Sequence, residues 1–143
     1  MPTIGVDCQV ILDGAGYFVE PHGYAMKRAR LRKASVTKGG SERYVDLGPG
    51  KREWHLVLLC LNGLTDATGQ PLAVNGETLR ENVRTSYEKA PALGTVAGPP
   101  LGFVDLDGTA YRVHFDDYEE RVRDPRSALT SPSYHVSVVL AEA

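Results

Sequence analysis

The sequence predicts a mainly β protein: an antiparallel β-sandwich or partly closed barrel with one flanking α-helix at about residues 76–89. Three observations carry that expectation. Apolar and polar residues alternate through most segments, which is the period of a strand with one face covered. Glycine, proline and aspartate punctuate the chain at short intervals, as tight antiparallel connections require. Only one stretch repeats its apolar residues every four positions, so the strands surround a single helix.

Val6, Cys8, Val10 and Leu12 alternate with Asp7, Gln9 and Asp13, and Gly14-Ala15-Gly16 ends that strand in a turn. Tyr17-Phe18-Val19 begins another, which Pro21 and Gly23 interrupt. From residue 24 the chain turns strongly polar. Met26, Arg28, Arg30, Arg32, Ala34 and Val36 share one side, while Lys27, Ala29, Leu31, Lys33 and Ser35 share the other. Lys38-Gly39-Gly40-Ser41 supplies a reversal, Tyr44 to Leu47 returns, and Gly48-Pro49-Gly50 is expected to turn again. Trp54, Leu56, Leu58 and Cys60 then face Val57, Leu59 and Leu61 across a strand that reads as central and covered on both faces. Residues 24–61 thus form a long hairpin arm plus a central strand.

Residues 62–75 form a turn-rich connection. Leu79, Val83 and Tyr87 give the helix its stripe, with Asn75 as its cap and Pro91 beyond its end. Residues 91–100 are a loose link. The run from Phe103 to Tyr111 is a hairpin centred on Asp107-Gly108. Tyr111, Val113 and Phe115 have the opposite parity from Tyr118, Glu120 and Val122, which asks for a bulge near Asp116-Asp117. Tyr134, Val136, Val138 and Leu140 make the last strand. A chain of 143 residues with 42% hydrophobic content is read as one domain, residues 1–143, able to bury a core without disulfides.

Little in the chain supports catalysis. Cys8 and Cys60 lack a CxxC pairing or a histidine at ligand spacing, and they read as small buried apolar residues. Asp105-Leu106-Asp107-Gly108 starts like a calcium loop but lacks the glutamate at the loop's twelfth position, where Asp116 stands, so a turn is expected. His22, His55, His114 and His135 are scattered, and no serine sits in a nucleophile elbow. A hydrolase using Asp116, Asp117 or Glu119 beside His114 has spacing but no supporting constellation. No catalytic, cofactor-binding or metal residue is assigned, and no enzyme is expected. The longest apolar run, residues 56–61, is too short to cross a bilayer as a helix, and Met1-Pro2-Thr3 opens without a secretory pattern. A soluble protein made in a cytoplasm, with no membrane partner, follows as the expectation.

The main clue is the arm. Guanidinium groups two residues apart repel one another unless carboxylates, phosphates or a neighbouring subunit neutralise them. Protection of an edge strand, contact with nucleic acid and pairing with another protein chain all remain open explanations. A formal net charge of -2 is low for a committed DNA binder. Asp116, Asp117, Glu119 and Glu120 offer a complementary acidic strand. Lys27, Arg28, Arg30, Arg32, Lys33 and these four acids are therefore the candidate subunit interface.

The phrases GPGKREWHLVLLCLNGLTDATGQPL, LRENVRTSYEKA, GFVDLDGTAYRVHFDDYEERVRDPRS and SYHVSVVLAEA resemble small structural proteins of tailed-bacteriophage tails, the group of tail-tube and distal-tail (baseplate) subunits. The likeness spans about residues 24–143 and lies in order and style, without a signature motif. It implies a β-sandwich or barrel with one helix, arranged as a ring of six subunits whose arms reach the neighbouring ring. It also implies location in the virion, contact with other tail or baseplate proteins, and weak, non-specific passage of DNA. The alternative is a stand-alone β-barrel module binding a carbohydrate or other ligand, with Trp54, Tyr24 and Tyr44 as its aromatic residues.

Overall fold

Trp54, Leu56, Leu58 and Cys60 lie on one side of strand β3 (Glu42–Cys60), and all four are buried. What they face is the interior of a closed antiparallel barrel, seen in a computed structural model that describes residues 2–36, 42–89 and 100–143. Side chains are described in these ranges except at 31–36 and 42–47. The other elements are β1 (Val10–Leu12), β2 (Ala15–Val36), α1 (Gly76–Glu88), β4 (Leu101–Val104), β5 (Ala110–Asp124) and β6 (Ser133–Glu142). Around the barrel the strands run β1-β2-β3-β6-β5-β4, closing where Ile11 pairs with Val104. The protein is mainly β; among the described residues there is one antiparallel sheet, closed into a ring, and one helix.

The core takes the inward side chains of every strand: Val10 and Leu12, Tyr17 and Val19, the β3 set, Phe103, Val113, and Val136, Val138 and Leu140. On the outer wall of β3, Val57 and Leu59 are only half-buried. Their strand is therefore covered completely on the inner face and partly on the outer one, which corrects the two-sided burial expected from its apolar run. Ring closure, rather than a second layer, gives β3 its central position.

Helix α1 seals one end. Asn75 caps it by accepting a hydrogen bond from the Thr78 backbone N–H at 2.8 Å, and Leu79 and Val83 join the core. Its first residue fits only because it lacks a side chain. A Cβ at Gly76 would lie 2.4 Å from the Cys60 carbonyl oxygen and 2.9 Å from that of Pro132, both backbone atoms that cannot swing aside. Gly76→Ala should therefore destabilise the fold by about 1–3 kcal/mol, despite alanine's better helix propensity. A lower urea midpoint with an unchanged denaturant slope would register that cost.

Beyond the barrel, β2 and β3 continue alone. β6 pairs with β3 only from Cys60 back to Glu53, whereas β2 and β3 stay paired out to Val36 and Glu42. Irregularities fall between Val19 and Tyr24, Arg28 and Arg30, and Leu31 and Arg32. The first places extra residues in β2 around Pro21. The other two place them in β3, so β2 keeps its alternate spacing through the arginines. Gly48-Pro49-Gly50 is consequently no turn: β3 runs straight through it, with Gly48 at φ 89° absorbing the local distortion. The Lys38-Gly39-Gly40-Ser41 reversal lies outside the described residues.

Candidate interaction surface

The base of the arm is fixed by a buried carboxylate. Asp105, 8% exposed, accepts hydrogen bonds from the Tyr24 hydroxyl at 2.8 and 2.9 Å, from Trp54 Nε1 at 3.2 Å and from the Leu106 backbone N–H at 2.8 Å. Burial and the Asp105 carboxylate both push the Tyr24 hydroxyl pKa upward, so the phenol stays a donor. These bonds tie β2 and β3 to the β4–β5 turn where the ribbon departs. Read from the sequence, Asp105 was only a turn residue. No local spacing signals that role, because Tyr24 and Trp54 lie 81 and 51 residues away in the chain and only closure of the barrel brings them to Asp105.

One step further out, Arg28 stands directly opposite Arg52. Their repulsion is relieved on both sides: Arg28 Nε donates to the Gly50 carbonyl at 2.7 Å, and Arg52 pairs with Glu142 at 3.2 Å. The Arg52 guanidinium also lies 5.1 Å from the centre of the Tyr111 ring. Lys27, Arg28 and Arg30 are exposed. The side chains of Arg32 and Lys33 lie outside the described residues.

The acidic segment divides in two. A register shift between Phe115 and Asp117 supplies the expected bulge, after which Asp117 pairs with Val139 and Glu119 with Ser137. Asp116, Asp117 and Glu119 are exposed, and Glu119 meets Arg121 of its own strand at 2.7 Å. Glu120 instead turns toward the helix, where Arg84 grips it through two hydrogen bonds of 2.8 Å and the Tyr118 hydroxyl donates to it. Tyr87 stacks on Tyr118 with ring centres 4.9 Å apart. Three of the four acids are thus presented outward, and the fourth holds α1 against β5.

Burial pushes the Glu120 carboxyl up, but the Arg84 and Tyr118 hydrogen bonds outweigh it and hold the group below its ordinary 4.5. The Arg52 backbone N–H and guanidinium do the same for Glu142. Both folded pKa values are depressed, so the stability they contribute is present above 4.5 and lost as pH falls through the folded values. Thermal unfolding at about pH 3 should therefore begin at a lower temperature than at about pH 6. Glu120→Gln should reduce that difference.

His55 Nε2 lies 3.2 Å from Glu53 Oε1 but is not aligned for a hydrogen bond. Among the described residues no three His, Cys, Asp or Glu side chains gather into a metal-holding group. Cys8 and Cys60 are free and buried, and burial pushes their thiols up to about 11 and about 12. Trp54 is fully buried and opens no ring face to water, Tyr24 is half-buried with its hydroxyl held by Asp105, and the Tyr44 side chain lies outside the described residues. Among the described residues no helix is long and apolar enough to cross a membrane. No protein-family model matches the chain, and no curated protein matches it in sequence.

Proposed function

We propose that the protein is a structural subunit of a bacteriophage tail, a tail-tube or distal-tail ring protein that self-assembles around a DNA channel and carries out no reaction. The observation that carries this reading is the ribbon of β2 and β3, which leaves the barrel as two strands and holds the exposed Lys27, Arg28 and Arg30 at its root. Unfinished sheet edges support it as well. Among the described residues β2 meets a second strand only at Ala15–Tyr17, and β5 meets β4 only at 110–113, so long stretches of both are paired on one side alone. Such edges are what strand pairing between subunits would complete. A barrel with a single sealing helix also agrees with the architecture that the sequence resemblance implies. The ring of six and the contacts with other tail or baseplate proteins rest on that resemblance.

Electron microscopy of negatively stained protein tests the proposal, together with light scattering over a rising concentration series. Rings or short tubes are expected. Their yield should fall as salt rises from about 0.05 to 1 M, because screening weakens contacts between exposed charges. Particles that stay uniformly monomeric would sink the proposal and favour the stand-alone binding module.

A further inference from the structure

Charge is divided unevenly between arm and body. Residues 26–52 carry nine lysines and arginines against Glu42 and Asp46, a formal +7, which leaves -9 on the rest of a chain whose net charge is -2. At its root Arg52 pairs with Glu142 and Lys27 lies opposite Glu53, but the outer part of the arm cannot neutralise the body by folding back. β2 and β3 remain paired out to Val36 and Glu42, eight residues past Arg28, so the ribbon spreads its outer charges over about 26 Å beyond its root.

On the body, the outer wall of β2, β3 and β6 holds a groove of about 300 Å³. Its sides come from Gly23, Ala25, His55, Val57, Ser137 and Val139, where the extra residues of β2 bulge and Gly23 presses against Val57 of β3. Pairing across the sheet sets exposed carboxylates along one lip: Asp117 lies opposite Val139, and Glu119 lies opposite Ser137. Glu53, beside His55, marks the other end. Two cations share this wall, Lys27 opposite Glu53 and Arg121 against Glu119. The outer wall thus combines an apolar floor with a carboxylate rim, and Glu120, turned in toward Arg84, takes no part in it.

We infer that this groove is the docking site for the cationic arm of a second copy of the chain. The inference rests on the ring reading for the identity of its partner and adds to it the surface that receives the arm. Charge complementarity selects the occupant, since the most basic segment of the chain meets a carboxylate-rimmed wall that, beyond Lys27, its own extended ribbon leads away from. Donor and acceptor are different surfaces, so the contact is head-to-tail and propagates from copy to copy until it closes or stacks.

Two charge-swapped proteins test this. An acceptor variant carries Glu53→Lys and Asp117→Lys, and an arm variant carries Arg28→Glu and Arg30→Glu. All four positions lie at the surface, and circular dichroism melts confirm that each variant is folded. Each alone should need at least tenfold more protein than the wild type to assemble, and an equimolar mixture should recover assembly because every reversed groove then finds a reversed arm. A covalent readout accompanies it: Ser137→Cys with Ala34→Cys, on the same side of the arm as Arg28 and Arg30, should yield disulfide-linked oligomers on mild oxidation, since Cys8 and Cys60 are buried. If the wild type forms rings while the acceptor variant assembles equally well and no cross-link appears, the groove is not the acceptor and the ring reading stands. If the acceptor variant assembles normally while only the arm variant loses retention on a DNA column, the arm serves nucleic acid and the inference is overturned. A wild type that never assembles removes both.

Discussion

Replacing Trp54 by alanine will cost about 3–5 kcal/mol, the range for deleting a fully buried large aromatic side chain. The indole is 0% exposed and packs edge-on against Phe103 with ring centres 5.2 Å apart, and against Tyr111 at 4.9 Å. Truncation opens a cavity between β3 and β4 that the barrel cannot collapse, because Trp54 is paired with Met26 and Leu140 on its two sides and Phe103 with Leu12 and Tyr111. It also removes one donor from buried Asp105. For a domain of this size each kcal/mol shifts the melting temperature by about 2–4 °C, so a fall of about 10 °C or more is expected. Trp54→Phe separates the causes: it keeps much of the packing, loses the N–H donor, and should cost clearly less. A melting temperature within about 2 °C of wild type for Trp54→Ala would contradict the packing described. Trp54 is the chain's one tryptophan, so its fluorescence in the wild type should shift to the red on unfolding and give an independent midpoint.

That side chain was legible in the sequence, since alternation from Trp54 to Cys60 assigns it to a covered face before any coordinates exist. The helix over Leu79 and Val83, its Asn75 cap, the Asp107-Gly108 turn and the bulge before Asp117 were legible in the same way. Each is written in local spacing or turn chemistry. The misread Gly48-Pro49-Gly50 shows where local reading stops. Glycine and proline signal a reversal in a short hairpin, but in a two-stranded ribbon the same residues accommodate bulges, because one edge is free of ladder bonds. The outer face of β3 failed for a related reason. A run apolar on both sides says that each face avoids water, without saying whether a second layer, a bulge or another subunit provides the cover.

The candidate surface divides along the same line. The exposure of Lys27, Arg28, Arg30, Asp116, Asp117 and Glu119 follows from charge and alternation. Glu120 does not, although its parity with Tyr118 after the bulge was the available signal that it faces the helix rather than the outer wall. For the groove beside Val57, Pro21 and Gly23 signalled only that the strand is interrupted, not what the interruption faces. The groove arises because three extra residues of β2 stand against a regular β3, and that mismatch belongs to a pairing register, which is a long-range property.

Removing the Asp105 carboxylate should have the second largest effect, and its consequence should be concentrated at the root of the arm. Asp105→Ala leaves the Tyr24 hydroxyl and Trp54 Nε1 without their acceptor in a site where Asp105 itself is 8% exposed. Hydrogen bonds to a charged group and the penalty for stranded buried donors together set a loss of about 2–4 kcal/mol. Asp105→Asn retains one carbonyl acceptor and should lose about half as much. Tyr24→Phe deletes a donor rather than the acceptor, leaves Asp105 with Trp54 Nε1 and the Leu106 N–H, and should cost about 1 kcal/mol. Stability alone would not distinguish an anchor for the arm from an ordinary core contact, but amide hydrogen exchange does. In Asp105→Ala the amides of residues 24–28 should exchange faster by more than the global loss accounts for, while those of β6 track the global value. Equal acceleration in both strands would mean that Asp105 stabilises the barrel as a whole and does not hold the arm in place. If the arm is the element that joins subunits, the same variant should also assemble less readily, because a ribbon free to swing at its root must be ordered again in every contact it makes.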